Sequence, residues 1–210
     1  MDTNNERFAG YAAAKNHIAT LKDLLLHIRA DLYRVEGRKG LLPFLYTLFW
    51  GERGFSVCFL LRVGQYSQNA TIICKLLLYP IVKFFHFFLQ TIYNCEIYPE
   101  TIIGYGLFLP HCHSITINSR CIIGNNCTIF PGAIIGIHKG LCPTIGDNVF
   151  IGSNVHISGG ITIGSNSAIG PNVVIVKSVP EYTTVVLDQS CMRVMARNVP
   201  RVGNIFQTNV

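Results

Sequence analysis

The sequence predicts a mainly β protein: a solenoid of short parallel strands preceded by an α-helical N-terminal region. Two observations carry this. Isoleucine recurs at every sixth position, at 145, 151, 157, 163, 169 and 175, without a break. Before residue 94, by contrast, apolar residues recur at helical spacing. The predicted boundaries are 1–94 for the helical region, 95–195 for the solenoid and 196–210 for a C-terminal tail.

Taken in order, His17 to Arg34 reads as a helix, with Ile18, Leu21, Leu24, Leu25, Ile28 and Leu32 on one side. Phe55 to Tyr66 reads as a second helix, starting after the GERG tetrapeptide. Residues 70–93 are long and apolar enough for a membrane span. However, Lys75, Tyr79, Lys83, His86, Gln90 and Tyr93 fall within about 80° of one another at helical spacing. Two lysines and a histidine along the middle of a lipid span are costly. The expectation is therefore a helix packed against the solenoid or a partner chain, with peripheral contact at a membrane surface as the alternative. Pro80 is expected to bend or interrupt it.

The six-residue grid also runs upstream through Ile97, Ile103, Leu109 and Ile115. It slips by two residues, resumes at Ile117, Ile123, Ile129 and Ile135, and skips four more around HKGLCP before Ile145. Such a period is neither helical nor a simple strand alternation. It fits a short strand and a turn, with one apolar side chain pointing inward per unit and Gly or Asn taking the tight backbone. Stacked units then bury a continuous apolar ladder. Inserted residues must loop out of such a coil, and loops on a rigid scaffold are where function concentrates.

Composition excludes several classes. Only 13% of residues are charged and half are apolar, so the chain is neither disordered nor a coiled coil. The formal charge of +6 lies mostly before residue 96, where eleven Lys/Arg face six Asp/Glu; afterwards six face five. The solenoid is thus nearly neutral and unsuited to nucleic acid, while the basic excess of the first half suits an anionic surface. The eight cysteines form no CxxC pair, and the opening MDTNNERFAG has no apolar core. No secretory signal is expected, and the cysteines are expected as buried thiols in a reducing cytoplasm, at the inner face of the membrane if 70–93 touches lipid.

The stretches EIYPETIIGYGLFLPHCHSITI, IGDNVFIGSNVHISGGITIG and IGPNVVIVKSVP resemble the hexapeptide-repeat acyltransferases. The nearest branch is the serine acetyltransferases and their relatives that acetylate bacterial polysaccharides, of the colanic acid type. This resemblance implies a left-handed parallel β-helix working as a homotrimer, with a dimer of trimers as the alternative. Left-handedness rests on the resemblance alone, since parallel crossovers are ordinarily right-handed.

The implied chemistry is acetyl transfer from acetyl-CoA to a hydroxyl, without a metal. An alcohol needs a base that works near neutral pH, and an imidazole provides one. The family's catalytic histidine falls on His111 in LFLPHCHSI, and the acid that orients it falls on Glu96 in EIYP. The family's CoA groove falls on Ser153, Pro171, Lys177 and Arg193, with Lys139 beside it. Gly136 is the candidate oxyanion donor, and DQSC replaces the family's usual GxPA before Arg193. His113, His138 and Cys142 are candidate acceptor contacts. Cys112 beside His111 raises the alternative of a covalent acyl-enzyme, with direct transfer preferred.

Two departures bear on the acceptor. Pro110 replaces the acid that serine-using members carry before the histidine, and Leu141 and Cys142 replace an Arg-His pair. A free amino acid needs charged partners. A sugar or glycan hydroxyl is therefore the preferred acceptor, with L-serine as the alternative. Two further readings are a zinc hydratase of the γ-carbonic anhydrase type using His111, His113 and His138, and a trimeric scaffold without chemistry.

Overall fold

A computed structural model of the chain describes residues 18–37 and 40–188. Four helices come first: α1 (Leu21–Glu36), α2 (Leu41–Phe49), α3 (Arg53–Asn69) and α4 (Ile72–Tyr93). Helix α1 opens on a capping box: the Asp23 N–H donates to Thr20 Oγ1 at 3.2 Å and the Thr20 N–H donates to Asp23 Oδ2 at 3.0 Å. It closes at Gly37, whose φ of 64° lies in the left-handed region. Helix α2 is a short apolar helix that periodicity does not reveal. Helix α3 extends the predicted Phe55–Tyr66 segment at both ends.

Helix α4 runs through Pro80 without interruption. The carbonyl that Pro80 leaves unbonded belongs to Leu76, which is exposed, so solvent can satisfy it. The helix is also the one stretch among the described residues long and apolar enough to cross a membrane, over Lys75–Tyr93, with 11% of it buried. Its polar stripe is only partly covered: Lys75 and Lys83 are exposed, while Tyr79, Gln90 and Tyr93 are half-buried. His86 is buried, and Leu89 and Tyr93 pack on the solenoid core, while Ile81, Phe84, Phe85 and Phe88 are exposed.

Thirteen two- or three-residue strands follow, from β1 (Glu96–Ile97) to β13 (Thr184–Val185). All named strand pairs are parallel, and the strands form three sheets in the orders β1-β3-β6-β9-β12, β10-β7-β4-β2 and β13-β11-β8-β5. These are the three faces of a prism. The inward residues are the isoleucines of the grid: Ile97, Ile117, Ile135 and Ile157 stack in register on one face, each with no measurable exposure. At outer corners, Asn148, Asn154, Asn166 and Asn172 take positive φ, and Asn148–Asn166 and Asn154–Asn172 hydrogen-bond between coils at 3.0 and 3.2 Å.

The register locates both insertions. Ile117 pairs with Ile135, and Ile157 with Ile175, at the regular interval of three hexads. The Ile97–Ile117 pair contains two extra residues and the Ile135–Ile157 pair four. The first insertion carries His111 and the second carries His138 and Lys139.

The helical region is bolted to the solenoid by a buried ion pair. Arg62 Nε donates to Asp31 Oδ2 at 2.8 Å, and both side chains are essentially inaccessible. The rest of the guanidinium donates to the Ile103 carbonyl at 2.8 Å and the Gly104 carbonyl at 2.6 Å, while Asp31 Oδ1 accepts the Leu107 N–H at 2.8 Å. A buried charge pair is tolerated only when its remaining donors and acceptors are met, and here the first coil of the solenoid meets them.

Candidate active site

The turn between α2 and α3 brings charge to the first insertion. Gly51 and Glu52 of this turn and Arg53, the first residue of α3, line a cleft of about 330 Å³ together with His111 and His113. What fixes this juxtaposition is Gly54. Its α-carbon lies so close to the Leu109 carbonyl that a Cβ would overlap it. The first turn of α3 therefore rests on the backbone two residues before His111.

His111 is exposed at the mouth of the cleft and takes a φ of 52°. Positive φ is uncommon for a residue with a Cβ. Buried Pro110 and Cys112 on either side hold it, and Ser114 also takes a positive φ, of 53°. The insertion thus turns the imidazole outward from a chain whose neighbours are anchored inside. His113 packs edge-on against Tyr93, with ring centroids 5.8 Å apart, and the Arg53 guanidinium lies 5.9 Å from the same Tyr93 ring.

Cys112 is poorly placed to act as a nucleophile. It is fully buried with its Sγ 3.1 Å from Cys95 Sγ, and that contact, followed by burial, pushes its thiol far above the ordinary range.

Glu96 lies elsewhere. It is exposed on β1 and lines a second cleft, of about 560 Å³, between the first coil and α4, shared with Lys83, His86, Gln90 and Glu100. No hydrogen bond joins Glu96 to His111 among the described residues. The carboxylate that lines the cleft of His111 is Glu52, which nothing in the sequence singles out. Within the second cleft, His86 Nε2 and Gln90 Nε2 are buried without a hydrogen-bond partner among the described residues.

The second insertion is a tight hairpin. His138 and Leu141 exchange backbone hydrogen bonds at 3.0 and 3.1 Å across Lys139 and Gly140, both at positive φ. His138 is exposed and lies over Gly159, while the Cys142 thiol donates to Asn118 Oδ1 at 3.4 Å. Neither lines the cleft of His111 within one chain, so His113 alone of the three predicted acceptor contacts does. Within the single chain, no group of three His, Cys, Asp or Glu side chains able to hold a metal ion forms among the described residues. Gly136 ends β6, with open space where a Cβ would be. Ser153 and Pro171 lie on successive coils, where the Asn172 N–H donates to the Ser153 carbonyl at 2.8 Å. Pro171 and Lys177 are exposed, and Arg193 lies outside the described residues.

Comparisons with known proteins bear on this arrangement. Residues 142–177 match the family described as bacterial transferase hexapeptide (six repeats). A serine acetyltransferase of Staphylococcus epidermidis is 46% identical over 95 residues, which are 43% of this chain and 45% of that protein. The chain thus spans less than half the length of the curated relatives it matches. Among solved structures, serine acetyltransferase isoform 3 of Entamoeba histolytica, in complex with cysteine, superposes with a TM-score of 0.67 at 22% identity, over 92% of this chain and 71% of that one. Neisseria gonorrhoeae serine acetyltransferase, in complex with serine, gives a TM-score of 0.64 at 28% identity, over 80% of this chain and 68% of that one. Repeat, fold and likeness agree: this chain is a left-handed parallel β-helix with a helical N-terminal region, of the hexapeptide-repeat type found in serine acetyltransferases.

Proposed function

We propose that this protein is an acetyl-CoA-dependent O-acetyltransferase whose acceptor is L-serine, with His111 as the general base. The observation that carries the proposal is the setting of His111: an exposed imidazole at positive φ, in a cleft with one acidic and one basic side chain. Neutral imidazole takes the proton from the acceptor hydroxyl as the oxygen attacks the thioester carbonyl. His111 then returns that proton to the departing thiolate. Backbone N–H groups stabilise the tetrahedral oxyanion, and Gly136 is the proposed donor. Acetyl-CoA is the second substrate. Ser153, Pro171 and Lys177, with Lys139 nearby, form its proposed groove between protomers of a homotrimer.

The sequence preference for a glycan acceptor rests on the missing charges at Pro110, Leu141 and Cys142. Glu52 and Arg53 supply charges from a different element, which removes the physical objection to an amino acid. The likeness to serine acetyltransferases supports the same choice. Thiol release from acetyl-CoA, measured with L-serine and with capsule-type glycans, tests it. Serine-dependent turnover is expected. Turnover with glycans and none with serine would reverse the assignment.

A further inference from the structure

Resting on that function, we propose that Glu52 and Arg53 are the specificity-determining pair of the acceptor subsite: Glu52 takes the ammonium of an α-amino acid and Arg53 its carboxylate, leaving the side-chain hydroxyl to His111. Three observations lead to this. The two residues line the same cleft as His111 and His113. Neither makes an ion pair or a side-chain hydrogen bond among the described residues, and Glu52 caps α3 without using its side chain. Their position relative to His111 is set by the backbone contact of Gly54 with Leu109, so they are presented on a rigid support.

The charge pattern selects among ligands. Adjacent charges of opposite sign suit a zwitterion. A polyphosphate or other anion would favour Arg53 and be repelled by Glu52, so the CoA phosphates are poor occupants of this end of the cleft. A neutral sugar would leave both charges partly desolvated and unpaired, which disfavours it. Arg53 is also steadied by the face of Tyr93, 5.9 Å from its guanidinium, and the same ring packs on His113. A planar guanidinium held this way can present two parallel N–H groups to a carboxylate.

The test uses the full-length protein, thiol release from acetyl-CoA, and three acceptors: L-serine, ethanolamine, which lacks the carboxylate, and 3-hydroxypropionate, which lacks the ammonium. Arg53→Met is expected to raise KM for L-serine by about tenfold or more, the usual effect of losing a charge-assisted bond. It should leave KM for ethanolamine, KM for acetyl-CoA and kcat within about threefold, with Arg53→Lys recovering part of the loss. Glu52→Gln is expected to raise KM for L-serine and ethanolamine while sparing 3-hydroxypropionate. Equal losses with all three acceptors, or a parallel rise in KM for acetyl-CoA, overturn the assignment and leave the serine reaction standing. A wild-type protein that transfers acetyl to none of the three overturns both.

Discussion

Gly54 at the start of α3 lies against the carbonyl of Leu109, with no space for even a methyl group between them. The contact joins residues 55 positions apart and sets Glu52 and Arg53 beside the insertion that carries His111 and His113. Gly54→Ala forces the first turn of α3 away from this backbone. Overpacking of this kind costs about 1–3 kcal/mol. The expected result is a lowered melting temperature together with a rise in KM for the acceptor. A fully stable variant with wild-type KM would mean that the helix and the insertion are not rigidly linked.

Asp31 and Arg62 give a second, independent prediction. Arg62→Met strands a buried carboxylate and removes donors from the Ile103 and Gly104 carbonyls. Breaking such a pair costs about 3–5 kcal/mol. Urea denaturation is expected to show that loss for Arg62→Met, and a smaller loss for the double variant Asp31→Leu/Arg62→Met, which leaves no unpaired charge. A single variant within about 1 kcal/mol of wild type would contradict the role of this pair as the bolt between helices and solenoid.

His27 predicts the pH response of stability. Burial, followed by the nearby Arg62 cation, holds its pKa below that of an ordinary histidine, and burial does the same for His86. In the unfolded chain both titrate near the usual value of about 6.5. Below that pH the unfolded state binds more protons than the folded one, so the stability these neutral rings contribute is present above it and is lost as the pH falls. Melting temperatures should decline between pH of about 7 and about 5.5, and the decline should be shallower in His27→Asn/His86→Asn. An unchanged slope in the double variant would assign the acid sensitivity to other groups.

The solenoid is the most legible part of this sequence. Each grid isoleucine that lies in a strand from Ile97 to Ile169 takes the inward position of that strand, on one or another of the three faces, and is 0–1% exposed, so a single physical requirement writes itself into the sequence every sixth residue. The two interruptions are legible for the same reason, because any extra residue breaks the count. Helix α2 is not legible: LLPFLYTLF is apolar on every side and starts at Gly40 without a side-chain cap. Nor is the partnership of Asp31 with Arg62, although a signal exists in Asp31 standing one helical turn from Ile28 on the buried side of α1.

At the site, His111 is named by the resemblance of LFLPHCHSI to the acyltransferases and not by its residues alone, and the structure puts it in the first insertion. Glu52 and Arg53 are not legible, because GERG reads as a turn and its position beside His111 follows from a long-range backbone contact. Gly54 is the available clue, since glycine at the opening of a helix marks close backbone approach. Glu96 is named by the same resemblance. Sequence distance puts it one coil from His111, but its side chain faces the cleft under α4.

Acetyl transfer from acetyl-CoA to L-serine, measured for the wild-type protein and for His111→Ala under saturating substrates, is the most direct test. A positioned base contributes about 10²-fold or more, so kcat is expected to fall by at least that factor while the circular dichroism spectrum and melting temperature stay unchanged. A folded His111→Ala protein that turns over at the wild-type rate would contradict the assignment of the base and with it the chemistry proposed for this cleft.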